Sequence, residues 1–405
     1  MVMLPDLKEK VDGLRDSAIE ILSKIIEIKA ISPDSGGEGE LKKAEKIESH
    51  LDGFDVERLD VKDDRAYGGV RPNILARIRG EQKRTIWIVS HMDVVPEGDE
   101  RLWNTPPFRA VVEDGKIYGR GSEDNGQSLV ASLIAGKAIL ELGLTPYYTL
   151  GLAFVADEET GSKYGIQELI KRGVFEKDDL IVVPDGGTPK GDMIEIAEKS
   201  VVWFKFSVFG KQTHASMPEK GLNANRMAME FLLGIDRALR DKYSKTNPIF
   251  QPPVSTFEPT KREANVDNVN TIPGLDVSYM DCRILPEYNV DEVIEFVNRM
   301  KEGFEKEKGC RIEVEVVQRE FSPPTDENSE VVRVLSRAIE SVRGIRPGVY
   351  GMGGNTCGAF FRKAGFQTAV WSTVDNTAHQ PNEYCRIDNL VEDAKVFAYL
   401  PFVRL

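Results

Sequence analysis

His91 and Asp93 stand two residues apart in Ser90-His91-Met92-Asp93, directly after the apolar run Ile86-Trp87-Ile88-Val89. At the end of a strand, alternate side chains share a face. An imidazole there can bind a metal ion while the carboxylate holds its other ring nitrogen and fixes its tautomer. The pair alone suits an ordinary structural contact equally well, so its weight comes from its company. Only four histidines occur in 405 residues. His379 stands in Ala378-His379-Gln380-Pro381-Asn382-Glu383, His214 lies in a polar Gly-rich segment, and His50 has an ordinary helical setting.

Three acidic segments extend the pattern. In Gly119-Arg120-Gly121-Ser122-Glu123-Asp124-Asn125-Gly126 the glycines bend the chain before a helix and present Asp124 near its start. A carboxylate there can bridge two cations or simply cap the helix. Asp157-Glu158-Glu159-Thr160-Gly161 follows a hydrophobic run. Acids this close repel one another unless a cation neutralises them, and one can ligate while its neighbour works as a general base. A solvated acidic loop is the alternative. Asp185, in Val183-Pro184-Asp185-Gly186-Gly187, and His379 complete a set of N and O donors suited to zinc, with cobalt or manganese as substitutes. Together these residues point to a hydrolytic enzyme built around two divalent metal ions.

The elements that must deliver them are legible as well. The runs 86–89, 148–155, 180–183 and 369–371 are continuously apolar, as expected of strands buried on both faces of a mostly parallel sheet covered by helices. Candidate groups follow each run, namely His91 and Asp93, Glu158 and Glu159, Asp185, and Asp375 with His379. In open α/β sheets the functional crevice lies beyond the carboxyl ends of the strands, so four segments converge on one rim. Helical periodicity covers 6–30 and 41–52, and a crossover helix is expected over 127–142. Between about 197 and 315 half-alternating stretches (201–209, 275–284, 312–317) interleave with amphipathic helices (223–242, 290–308), which suggests an inserted α+β domain with an antiparallel sheet. A helix over 328–341 and a βα-like end follow.

The formal charge of -13 disfavours a nucleic-acid or acidic-membrane partner, because no Lys/Arg cluster offers counter-charge to phosphates, and neither is expected. No apolar run reaches the roughly 18–20 residues that span a bilayer, and MVMLPDLKEK lacks the apolar core of a signal peptide, so a cytoplasmic location is expected. Cys282, Cys310, Cys357 and Cys385 lack CxxC spacing and read as buried thiols.

The segments SHMDVVP, GRGSEDNG, DEETG, VVPDGG, GKQTHASMPEKGLNA and NTAHQPNE resemble, in order and spacing over nearly the whole chain, the motifs of the M20 metallopeptidase family. That group includes acetylornithine deacetylase, succinyl-diaminopimelate desuccinylase, aminoacylase and carboxypeptidase G. The resemblance implies one metal held by His91, Asp124 and Asp185 and a second by Asp124, Glu159 and His379. It also implies Glu158 as the base, Asp93 orienting His91, and a cis peptide after Asp124. It implies a homodimer in which His214 reaches the partner's site and stabilises the developing oxyanion. Asn270, Arg283, Gly354 and Thr356 are similar to positions near substrate. One departure is plain: the family's usual lysine shortly after the bridging acid is absent from Asp124-Asn125-Gly126-Gln127.

The expected fold is therefore α/β, with a catalytic domain of 1–197 and 316–405 and an inserted lid and dimerisation domain of 198–315. The expected substrate is a small N-acyl amino acid or a short peptide, and deacylase competes with dipeptidase or carboxypeptidase within the same family. A non-catalytic ligand-binding protein of this fold would have lost the base or a ligand, and all the expected groups are present.

Overall fold

Thr85–His91 and Thr149–Val155 are strands buried at every residue, which is what continuous apolar runs require. In the computed structural model, which describes residues 4–405, they lie at the centre of an eight-stranded mixed sheet. Met1–Met3, the start of the stretch inspected for a leader, lie outside the described residues. The strand order across the sheet is Asp55–Lys62, Val70–Ile78, Thr149–Val155, Thr85–His91, Leu180–Thr188, Gln367–Thr373, Met193–Glu198 and Gly348–Met352. The four central strands run parallel, and antiparallel pairings flank them on both sides.

One face of this sheet is sealed by Trp87, Val89, Ala153, Val155, Ile181 and Val183 against Ile166, Leu169, Phe175 and Phe361. Each such aliphatic or aromatic side chain contributes roughly 1.5–3 kcal/mol on burial. Trp87 is fitted by two devices. Its Nε1 donates to Asp179 Oδ2 at 2.9 Å, and its ring lies over Gly151, where an added Cβ would come within 2.3 Å of it. Helices Ser128–Glu141 and Ile387–Tyr399 pack on one another and on the central strands. The first of these is the expected crossover helix, and it is apolar all round because it is buried all round. The expected 6–30 helix is broken in two, Leu4–Gly13 and Arg15–Ile26.

The chain divides into two compact units. The smaller unit is a four-stranded antiparallel sheet in the order Thr256–Arg262, Leu275–Ile284, Ser200–Phe209, Arg311–Glu320. Alternation along Ser200–Phe209 turns Val202, Phe204, Phe206 and Val208 into a core with Ala228, Phe231 and Ile235 of helix Ala224–Lys242 and Val293 and Val297 of helix Val290–Lys308. Both helices start where the sequence provides a cap: Asn223 accepts the Arg226 N–H at 3.1 Å, and Asn289 accepts that of Asp291 at 2.8 Å.

The smaller unit comprises Ala197–Pro324 together with Gly351–Asn355. The last strand of its sheet keeps pairing to Glu320, opposite Val201. The Gly-rich loop 351–355, read as part of the larger domain, also clusters with the smaller unit. The four cysteines are free and buried. Among the described residues no helix is long and apolar enough to cross a membrane.

Candidate metal centre

His91 ends its strand, Asp157-Glu158-Glu159 follow the next strand, and Asp185 sits where Leu180–Thr188 passes from buried to half-buried. Asp124 arrives from the irregular turn before helix Ser128–Glu141, and His379 from the loop after Gln367–Thr373. The sheet thus gathers these groups at the carboxyl ends of its parallel strands.

Asp124 lies in the middle. Its Oδ1 is 2.8 Å from His91 Nε2 and its Oδ2 is 3.1 Å from His379 Nε2. His379 Nε2 is also 3.1 Å from Glu159 Oε2, and His91 Nε2 is 3.6 Å from Asp185 Oδ1. Donor atoms of His91, Asp124 and Glu159, and separately of His91, Glu158 and Asp185, lie within 4.8 Å of one another. The second group sets Glu158 beside the ligands expected from sequence. The His91 side chain is 1% exposed and that of His379 54%, so the cluster has a closed floor and an open rim.

The backbone is shaped to this end. The Asp124–Asn125 peptide is cis. At Gly126 a Cβ would stand 2.3 Å from the Gly121 carbonyl oxygen and 2.8 Å from Leu22 Cδ1, so the turn leaves no room for the side chain that the family pattern leads one to expect nearby. Asn125 Nδ2 donates to the Pro184 carbonyl and to Asp185 Oδ1, both at 2.9 Å, tying the turn to the neighbouring strand.

Asp93 is fully buried, and His91 Nδ1 faces its backbone oxygen at 3.0 Å and its carboxylate at 3.6 Å. Only the backbone contact has hydrogen-bond length. The carboxylate instead accepts the N–H groups of Glu158 and Glu159, each at 3.0 Å, and thereby aims the acidic turn.

Among the described residues no lysine or arginine pairs with Asp124, Glu158, Glu159 or Asp185. In the protein by itself, burial pushes Glu158 well above the carboxylate range, and Asp185, Glu159 and Asp93 add to the rise against the pull of His91. Burial and Asp124 raise Glu159 to about 7. Hydrogen bonds to Asp124 and Glu159 raise His379 to about 10. Burial disfavours a charged His91, yet Asp185 and Asp124 overcome it and raise His91 well above its ordinary value. Two imidazole nitrogens and four carboxyl groups with no lysine or arginine among them are a donor set that fits divalent cations, which would displace the protons these groups hold in their absence.

The other candidate residues are distributed between the units. His214 is exposed in a two-residue strand paired with Thr271-Ile272, and its Nδ1 lies 2.7 Å from Ser216 Oγ. The Asn270 carbonyl accepts the Ala215 N–H at 2.8 Å, so Asn270 and His214 share one corner of the smaller unit. Arg283 donates to the Gly353 carbonyl at 3.0 Å and to Asp281 at 2.8 Å, which brings it to the loop of Gly354. Thr356 caps helix Cys357–Lys363 by accepting the Gly358 N–H at 3.0 Å.

Four supporting residues escaped the sequence reading. Arg71 is fully buried and forms a two-pronged pair with Glu40, and its guanidinium lies 3.3 Å from Asp157 Oδ1. The same Glu40 accepts the Asp157 N–H at 3.2 Å, so the network holds the base of the acidic turn. An arginine between apolar neighbours in a strand, as in Val70-Arg71-Pro72, was the available signal, since such a charge needs a buried partner. Glu123 and Glu383 are also buried, at 4% and 0% exposure, and both accept backbone N–H groups around the site.

The family described as Peptidase family M20/M25/M40 matches residues 87–401. An uncharacterized metallohydrolase of Methanocaldococcus jannaschii is 43% identical over 403 residues, covering 95% of this chain and 98% of that one. Succinyl-diaminopimelate desuccinylase of Alkalilimnicola ehrlichii is 29% identical over 386 residues, covering 94% and 96%. Among solved structures, aminopeptidase PepT from Bacillus cereus superposes with a TM-score of 0.77 at 20% identity, covering 95% of this chain and 97% of that one, a likeness of fold.

Proposed function

This chain belongs to peptidase family M20/M25/M40 and is a metallohydrolase, and on that premise we propose that it hydrolyses the amide bond of an N-acyl amino acid with two divalent ions. The observation that carries the reading is Asp124, whose two oxygens address different imidazoles, His91 at 2.8 Å and His379 at 3.1 Å. A carboxylate between two such nitrogens suits a bridging ligand. His91, Asp124 and Asp185 would hold one ion, and Asp124, Glu159 and His379 the other. Zinc suits these donors best, with cobalt or manganese able to replace it.

When bound, such ions supply a water that ionises near neutral pH and draw charge from the acyl oxygen. The protein's own groups do the rest. Glu158, beside His91 and Asp185, takes the proton of the attacking water and returns it to the leaving amine. Asp93 keeps Glu158 and Glu159 aimed through their backbone N–H groups. His214, contributed by the second protomer of a homodimer, stabilises the oxyanion. Arg283, Asn270, Gly354 and Thr356 recognise the remainder of the substrate, and the protein works in the cytoplasm.

Similarity to a desuccinylase over most of the chain favours an acyl amino acid over a dipeptide. The decisive experiment is a panel of N-acetyl and N-succinyl amino acids and dipeptides with metal-free protein restored by zinc, cobalt or manganese. Metal-dependent release of a free amine from an acyl amino acid supports the reading. Turnover confined to dipeptides moves the protein to the peptidases of its family, and full activity without metal ends the metal mechanism.

A further inference from the structure

Asp124 and His379 meet across 3.1 Å, although 255 positions separate them in the chain, and each arrives on an irregular segment. The loop carrying His379 is costly by itself. Asn376, His379 and Asn382 all adopt positive φ, at 63°, 61° and 63°. Non-glycine residues persist in that region where their surroundings impose it. One buried carboxylate binds this loop and another closes it: Glu123 and Glu383.

Glu383, four positions after His379, reaches to the segment of Asp124. It accepts the backbone N–H groups of Gly121 and Glu123 at 3.0 Å and of Asp124 at 3.1 Å, and Arg120 Nη1 at 2.7 Å. Glu123, adjacent to Asp124, reaches the opposite way. It accepts the N–H groups of Asp375 at 2.6 Å, Thr377, and Ala378 at 3.2 Å, and the Thr377 hydroxyl at 3.0 Å. A carboxyl group turns oxygen acceptors toward all of these donors, whereas an amide of the same shape turns an NH₂ group toward one set of them.

We propose that Glu123 and Glu383 are reciprocal positioning residues, each fixing the segment that bears the other's neighbouring metal ligand, so that Asp124 and His379 are set in mutual register. The proposal rests on the two-ion reading. Its consequences are unequal for the two residues. Glu123 grips only the strand-to-His379 segment, and losing that grip releases a ligand of one ion. Glu383 grips the backbone of Asp124, which serves both.

The test is cobalt(II) binding to the full-length protein, followed by calorimetry and by the visible spectrum of the bound ion. Wild type takes two ions per chain. Glu123→Gln weakens one binding step by about 10–100-fold and leaves the other within about twofold, whereas Glu383→Gln weakens both, in the range typical for groups that orient metal ligands. Folded variants that bind both ions as wild type does, with only a lowered melting temperature, overturn the proposal. Should Glu123→Gln fail to fold, Thr377→Val removes one donor to Glu123, and it must weaken the same single step for the proposal to stand. A wild type that takes fewer than two ions defeats the two-ion reading itself, whatever the variants do.

Discussion

Asp93 holds Glu158 by its peptide alone: Oδ1 accepts the Glu158 N–H at 3.0 Å, while the Glu158 carboxyl enters no side-chain hydrogen bond or ion pair among the described residues. The peptide is pinned and the carboxyl left available, which is the disposition a proton carrier needs. Glu158→Gln is expected to keep its metal and lose about 10²–10⁴-fold in kcat, the usual contribution of a positioned base. Initial rates beside metal analysis decide it, and near-normal turnover in a metal-replete variant removes Glu158 from the role.

Metal affinity is expected to depend on pH with a definite sign. His379 is raised to about 10 by Asp124 and Glu159, and Glu159 to about 7 by burial, so both carry protons that a cation must displace. Affinity therefore falls as pH falls, by roughly tenfold per unit for each proton released. Calorimetry in buffers of different ionisation enthalpy counts those protons. An affinity constant from about pH 6 to 9 contradicts the geometry that raises these groups.

Arg71 is the sole cation paired with the buried carboxylates of Glu40 and Asp157 among the described residues. Arg71→Met leaves both uncompensated, at a cost of about 3–5 kcal/mol, as for other broken buried pairs. Urea or thermal unfolding measures it, and a loss below about 1 kcal/mol means that the carboxylates find other partners or take up protons.

If His214 acts in the partner's site, two inactive variants rescue each other. His214→Ala and Glu158→Gln, each depleted in activity alone, are refolded together in equal amounts. Half of the dimers are then mixed, each with one complete site, and about a quarter of wild-type activity returns. No recovery from a mixture shown to exchange subunits rules out the cross-subunit role.

Most of the candidate ligand segments were legible as a cluster because they sit at the ends of strands whose apolar runs are unmistakable, whereas Asp124 stands on an irregular turn before a helix. His91, Glu159, Asp185 and His379 inherit their places from buried strands, and the match of Val290–Lys308 reflects an Asn cap and a closing glycine printed in the sequence. Arg71, Glu40, Glu123 and Glu383 were not legible, since their partners are mostly backbone groups or buried charges distant in the chain. Nothing local separates such a glutamate from a solvated one. The full extent of Arg311–Glu320 was not legible either, because its last three residues, Gln318, Arg319 and Glu320, are polar and mimic a loop while still pairing in the sheet.

The contrast between a His91 that is 1% exposed and a His379 that is 54% exposed has a kinetic corollary. If two ions are held as proposed, a chelator approaching from solvent meets the rim first, so stripping is expected to proceed in two phases, with a singly loaded intermediate that persists. The protein would then lose and regain its outer ion on a timescale at which the inner one stays put.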